Sequence, residues 1–299
     1  MSFELGGIIP AAVTPMTKDG EVDYVAYERQ IGFLAESGVH GFFINGTTGE
    51  GPYLTREEQR ECFQVARSNR KKHQFLCLAA IAASTREVVE QVRDFEKLEP
   101  DYFVIVPPFY YDLDGPNIER HYLTIASSTE RPIIIYNIPQ RTSNDVFAGN
   151  LRALLQLGRF AGIKDSSGDF IRFFNMLHTT NGSFKWIQGE DLLDAPSLLA
   201  GAHGVVSGLC NIFPEPYLSM YSAVQAGQFK TALERQLHIN RLAGIIQAAG
   251  GKIISSIKCA LSVLDRCGEW SRVESFPLPE ENKKRVRAIV ELLASEGKV

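Results

Sequence analysis

Eight short, almost wholly apolar runs recur along this chain at 7–14, 41–45, 75–82, 101–106, 132–136, 160–163, 184–187 and 204–207. That recurrence limits the fold more than any other feature of the sequence. Most of the runs are continuously apolar rather than alternating, the pattern of parallel strands buried on both faces. Parallel neighbours need a crossover connection, and each gap holds a charged segment of helical periodicity. Strand alternating with helix eight times predicts an α/β fold, a (β/α)8 TIM barrel, with a doubly wound open sheet as the competitor. Helix starts are legible at Thr55–Glu58 and Ser84–Glu87, both of capping-box form, and Pro116 suits a first helical turn. Beyond about residue 215 the strand signal stops. Segments 223–249 and 280–293 read as amphipathic helices, with Pro277 and Pro279 punctuating the last connection. The expected division is a barrel over 1–224 that carries the active site and a helical C-terminal extension over 225–299.

Composition removes several classes of function. Apolar residues make up 44% and charged residues 22% of 299, an ordinary globular balance. A net charge of −4 without a basic run leaves no footprint for nucleic acid or an anionic membrane. The longest apolar stretch, 75–83, is nine residues, whereas a membrane-spanning helix needs about 20. The opening MSFELGG carries Glu4 and no basic residue, so no leader is expected and a cytoplasmic enzyme is. Five scattered cysteines form no C-x-x-C pair, and six scattered histidines form no H-x-x-x-H pair, so neither a disulfide framework nor a metal site is expected.

Catalysis in a barrel lives at strand ends, and three places there carry suitable chemistry. GTTGE at 46–50 follows the second run; its hydroxyls and N–H groups suit a carboxylate or phosphate, or the loop is an ordinary turn. It is not a dinucleotide fingerprint, because the order is G-x-x-G-x-G and Pro52 follows. Gly250-Gly-Lys252 is a loop and not a P-loop, since Ile253 stands where Ser or Thr is required. Lys164 ends the sixth run. It is either a lysine leaving a strand for water or a Schiff-base lysine, since desolvation in a barrel mouth disfavours an ammonium and leaves a nucleophilic amine. YNIPQRT at 136–142 brings Tyr136, able to move a proton, and Arg141, able to fork onto a carboxylate; an aromatic core residue and a proline turn explain the same letters. PFYY at 108–111 adds two phenols that fit packing or chemistry.

Taken together, GTTGE, PFYY, YNIPQRT, GIKD at 162–165 and GED at 189–191 resemble the dihydrodipicolinate synthase / N-acetylneuraminate lyase family of class I aldolases, in order and from Gly7 to the chain's end. The resemblance implies a barrel with a helical C-terminal domain and a covalent imine between Lys164 and pyruvate or a 2-keto acid. It implies no metal or nucleotide cofactor. Tyr136 would relay protons, Thr47 would join it in a hydroxyl chain, and Thr48 would hold the pyruvate carboxylate. Arg141 would receive the second substrate's carboxylate, and the Val206 carbonyl would face the imine. Gly189 and Asp191 would line the substrate site. Tyr110 resembles the tyrosine that reaches into a neighbour's site, so a homo-oligomer is implied, a tetramer or dimer of dimers. A ligand-binding barrel without turnover is the non-enzymatic alternative.

The substrate is argued from departures within the family. Arg141 and Thr142 favour a synthase-like site that condenses pyruvate with an aldehyde such as aspartate semialdehyde. Leu192 stands where the sialic-acid lyases carry a glutamate, and leucine cannot replace its hydrogen bonds. Gly51-Pro52 and Asn211-Ile-Phe-Pro214 resemble instead the 2-keto-3-deoxy sugar acid aldolases, and Asp165-Ser-Ser-Gly-Asp169 departs from the Glu-Ala pattern common in the biosynthetic synthases. Arg56, Gln59 and Ala83 occupy the positions of the lysine-feedback site in place of His, His and Asn, which implies insensitivity to free lysine.

Overall fold

Each apolar run becomes a strand: β1 (Gly7–Pro10), β2 (Gly41–Ile44), β3 (Phe75–Ala80), β4 (Tyr102–Ile105), β5 (Ile133–Asn137), β6 (Phe160–Asp165), β7 (Lys185–Gln188) and β8 (Gly204–Ser207). The structure, a computed structural model, describes residues 3–180, 184–273 and 277–296; Met1 and Ser2 of the leader reading and the last three residues of the expected extension lie outside the described residues. The eight strands pair in parallel in the order β1-β8-β7-β6-β5-β4-β3-β2. The ring is closed by an Ala11–Phe43 bridge and by hydrogen bonds from His40 N to Ile8 O (2.9 Å) and Ala12 N to Phe43 O (3.0 Å). This is the (β/α)8 TIM barrel with C-terminal helices, and the open-sheet alternative falls.

The period-2 geometry of a strand sends alternate side chains to opposite faces, and two apolar populations result. Ile9, Ala11, Phe43, Cys77, Val104, Ile134, Ile187 and Val206 fill the barrel interior. Ile8, Phe42, Ile44, Leu76, Leu78, Phe103, Ile105, Ile135 and Trp186 face the surrounding helices. Each large side chain buried this completely contributes about 1.5–3 kcal/mol. The continuous apolar runs are thus explained: both faces are covered.

The capping box at Thr55 forms as expected, with Thr55 N donating to Glu58 Oε2 (2.8 Å) and Glu58 N to Thr55 Oγ1 (3.2 Å). At Ser84 only half of it forms. Glu87 N donates to Ser84 Oγ (3.3 Å), but the Glu87 carboxylate takes the Ser84 hydroxyl (2.9 Å) instead of the backbone N–H. Asp114 caps the helix Gly115–Ala126, with Pro116 in its first turn. The C-terminal helices differ from the expectation. The segment 223–249 is divided, because Glu215–Gln225 stops at Gly227, which adopts φ 70°, and Phe229–Ala248 starts afresh. Ile253–Val263, to which the sequence reading assigns no element, is a further helix, followed by Glu280–Ser295.

Candidate active site

The carboxyl ends of β2, β5, β6, β7 and β8 open into a cavity of about 330 Å³. Lys164 stands on the inward face of β6, and Tyr136 is its register partner on β5. A bulge creates that pairing. Ile133 pairs with Phe160 but Ile134 with Gly162, so Ala161 is the extra residue. Without it Tyr136 would lie beside Ile163, and the lysine would be one step out of register. β6 also runs two residues past its apolar run, so Lys164 is within the strand and not leaving it. It is 6% exposed, which removes the reading of a lysine reaching for water. Its Nζ lies 4.0 Å from the Tyr136 ring centroid and 4.9 Å from that of Phe43.

Tyr136 is buried, packs edge-on against Phe43 at 5.7 Å and shares a hydrogen bond between its hydroxyl and Thr47 Oγ1 (3.4 Å). Burial pushes its phenol up, but the Lys164 ammonium and hydrogen bonds from Thr47, Lys164 and Ser166 outweigh that, and the net shift is downward. A phenol tuned this way gives up its proton more readily than a free one, closer to what a relay at ordinary pH needs. Asp165 points out of the barrel, accepting from Asn137 Nδ2 (3.2 Å) and Ser167 N (2.9 Å).

Thr48, Arg141, Gly189, Asp191 and Val206 line the same cavity as Lys164, Tyr136 and Thr47. Gly189 is there for clearance: a Cβ would stand 2.1 Å from Ser166 Oγ and 2.9 Å from Lys164 Cε. Asp191 has its carboxylate engaged by the Ser207 hydroxyl and by Tyr217 Oη (2.7 Å), while its carbonyl accepts from Gln236 Nε2 (2.8 Å). Burial nonetheless pushes Asp191 up, against the hydrogen bonds of Ser207 and Tyr217. Arg141 is exposed at the mouth; its backbone N–H donates to Ile138 O (2.9 Å), but its guanidinium makes no hydrogen bond or ion pair with the described residues. It does not brace its loop through Asp145, whose carboxylate is held by Arg172 and by Asn137 Nδ2 (2.8 Å). Tyr110 lies outside the cavity. It is 82% exposed at φ 86° and packs edge-on only against the similarly open Tyr111 (4.9 Å between ring centroids).

The sequence reading missed several cavity residues. Ser166, Gln140 and Glu190 flank the residues it named, and Ile246, Ile253, Ile254 and Ile257 come from the C-terminal helices. The Ile253-Ile254…Ile257 spacing was a usable helical signal, hidden by the preceding glycines. It also left Glu50 without a role. Glu50 and Lys258 form an ion pair in which both side chains are 0% exposed. Lys258 Nζ also donates to Trp270 O (2.8 Å), and Glu50 Oε2 accepts from Ser271 Oγ (2.9 Å), Arg272 N (2.7 Å) and Val273 N (2.9 Å). The turn behind it needs Gly51, where a Cβ would stand 1.8 Å from Asn45 O. So the loop carrying Thr47 and Thr48 is locked to the helix that supplies three of the isoleucines. Gln59 is spent here too, its Nε2 donating to Gly51 O (2.6 Å).

A larger opening of about 720 Å³ lies at the strand starts, lined by His40, His73 and His203. His40 Nδ1 and His203 Nδ1 accept from Ile8 N (3.0 Å) and Trp186 N (3.1 Å), and among the described residues no Lys, Ser, Thr or Cys lines it. Among the described residues no group of three or more His, Cys, Asp or Glu is placed to hold a metal, and no helix is long and apolar enough to cross a membrane.

Residues 4–293 match the Dihydrodipicolinate synthetase family. The chain belongs to that family. A 4-hydroxy-tetrahydrodipicolinate synthase of Phenylobacterium zucineum is 33% identical over 285 residues, spanning 94% of this chain and 95% of the relative. The dihydrodipicolinate synthase of Acinetobacter baumannii, solved in a chloride-inhibited form with pyruvate, superposes with a TM-score of 0.92 at 28% identity, covering 97% of this chain and 99% of the other. A Ruminococcus gnavus sialic acid aldolase has the same fold, with a TM-score of 0.91 at 21% identity, covering 98% of each. The chain is accordingly an enzyme, a class I lyase of the pyruvate aldolase kind, and the reading of a barrel without turnover is set aside.

Proposed function

We propose that this enzyme holds pyruvate as an imine on Lys164 and condenses it with a carboxylated aldehyde, aspartate semialdehyde being the best match, in the manner of 4-hydroxy-tetrahydrodipicolinate synthase. The observation that carries the reading is a buried lysine beside a phenol that is itself hydrogen-bonded to Thr47. The amine attacks the ketone carbon of pyruvate, and Tyr136 gives a proton to the departing hydroxyl, which leaves as water. The protonated imine withdraws electrons, so the pyruvate methyl loses a proton and an enamine forms. Its carbon attacks the aldehyde, the new C–C bond leaves an alkoxide that takes a proton, and water releases the product and restores Lys164. The imine is the electron sink, so this route calls on no cofactor.

In this reading Thr48 holds the pyruvate carboxylate and Arg141, unpaired at the mouth, meets the acid of the second reactant. Gly189, Asp191 and Val206 shape the wall around the imine. Tyr110, exposed on a left-handed turn, completes the site of a neighbouring copy in a homo-oligomer, a tetramer or dimer of dimers. The proposed division at 224/225 falls at the last residue of the helix Glu215–Gln225, after the final strand. Five free cysteines support a reducing compartment, the cytoplasm. The test is borohydride reduction in the presence of pyruvate. The expected result is a mass increase on the peptide containing Lys164, absent in Lys164→Ala and in Lys164→Arg, whose guanidinium stays protonated. Labelling of another residue, or full turnover by Lys164→Ala, would overturn the assignment.

A further inference from the structure

The cavity has two unlike halves. Around Lys164 most of the polar groups are already engaged, Thr48 being left for the pyruvate carboxylate. Thr47 and Tyr136 bond to each other, Ser166 Oγ donates to Gly189 O (3.1 Å), Gln140 Nε2 donates to Ser167 O (2.8 Å), and Asp191 is held by Ser207 and Tyr217. Above them the C-terminal helices present only hydrocarbon, through Ile246 on Phe229–Ala248 and Ile253, Ile254 and Ile257 on Ile253–Val263; Leu209 continues this surface from the β8 end. At the rim, Arg141 and the half-buried Glu190 have no ion-pair partner among the described residues.

We infer that this isoleucine wall sets the substrate class: the second reactant is an aldehyde whose carbons between carbonyl and carboxylate carry no hydroxyl. The inference rests on the imine reading above and narrows it. A hydroxyl pressed against the wall leaves water without gaining a partner, because the four isoleucines offer neither donor nor acceptor. Glu190 can accept from hydroxyls on its own side of the mouth, but those of a polyhydroxylated chain turned toward the wall stay without a partner. A plain methylene chain meets the wall at no such cost and leaves its carboxylate to Arg141. Aspartate semialdehyde fits this class, its single ammonium facing Glu190. Sugar-derived aldehydes do not fit, although other features of the sequence lean toward the sugar-acid aldolases.

The experiment compares condensation of pyruvate with succinic semialdehyde and with 2,3-dihydroxy-4-oxobutanoate, two four-carbon aldehydes of equal charge. The full chain is used, and pyruvate trapping by borohydride runs in parallel. The wild-type enzyme should favour succinic semialdehyde by roughly ten- to hundredfold in kcat/KM, the usual discrimination of an apolar wall against hydroxyl groups. Ile253→Asn, at a position 40% exposed and so tolerant of a polar side chain, should narrow that ratio several-fold by supplying a partner. Equal use of the two aldehydes, preference for the dihydroxy compound, or an unchanged ratio in Ile253→Asn would overturn the inference while trapped pyruvate leaves the imine reading standing. Absence of trapping on Lys164 would overturn both.

Discussion

Lys258→Met is the sharpest probe of how the C-terminal helices serve the barrel. Methionine keeps most of the volume but removes the ammonium, leaving Glu50 with its charge in a site where both partners are 0% exposed. Burial alone pulls the Lys258 ammonium down and Glu50 pushes it back, so the pair is held together against a real desolvation cost. Removing one partner of such a pair typically costs about 3–5 kcal/mol. Here Glu50 Oε2 keeps its three donors, from Ser271, Arg272 and Val273, and only Oε1 and the Trp270 carbonyl are orphaned. The expected loss is therefore near the lower end, about 3 kcal/mol, or a fall of roughly 5 °C in Tm for a chain of 299 residues. Glu50→Gln combined with Lys258→Met removes both charges and should be more stable than the sum of the single losses implies, with a coupling of about 1–3 kcal/mol. Because Glu50 ends the loop that carries Thr47 and Thr48, the pyruvate KM of Lys258→Met should also rise. Thermal and denaturant unfolding of the four chains of the cycle, with pyruvate kinetics on each, is the assay. A Lys258→Met loss below about 1 kcal/mol, additive with Glu50→Gln, would refute the idea that this pair locks the loop.

Tyr136→Phe removes one oxygen and spares the Phe43 contact, so the fold should persist while turnover falls by about 10²–10⁴-fold; wild-type turnover would remove the proton-relay role. Arg141→Ala should raise KM for a carboxylated aldehyde roughly ten- to hundredfold, the worth of a charge-assisted hydrogen bond, and leave pyruvate trapping intact; equal weakening toward a neutral aldehyde of similar size would refute it. Gly189→Ala should cut activity far more than stability, because its Cβ meets Ser166 Oγ and Lys164 Cε; an active variant would show that the two side chains can yield. Buried His121, bonded to Thr85 Oγ1 and Val106 O, is pushed down to about 4, chiefly by burial, so the unfolded chain binds the extra proton between pH 6.5 and 4. Its contribution is present above about pH 6.5 and is lost as pH falls toward 4, by up to roughly 3 kcal/mol; His121→Gln should make the stability profile shallower over that window by about that amount, and an unchanged slope would refute the assignment.

Much of this protein was open to reading one residue at a time. Eight doubly buried strands announce themselves as apolar runs, because both faces of a parallel barrel strand are covered, and local helix caps depend on letters three apart. The chemistry of a lysine, a tyrosine and two threonines is likewise written in their side chains. What those letters do not contain is distance between parts far apart in the chain. Glu50 and Lys258 are separated by 208 positions, and only packing shows that they meet. The isoleucines read as ordinary core residues, because an apolar side chain looks the same whether it faces a helix or a substrate. Arg141 and Asp145 sit four apart in sequence, yet Arg172 takes the aspartate and leaves the Arg141 guanidinium without an ion pair among the described residues.

The sequence by itself determined the barrel, its strands and the chemical type of its site residues, since hydrophobic periodicity and side-chain chemistry are local properties. Only the tertiary structure decided that Lys164 and Tyr136 are partners. One bulged residue, Ala161, shifts the β5–β6 register, and in a structure of period 2 a single step decides whether two side chains meet or face apart.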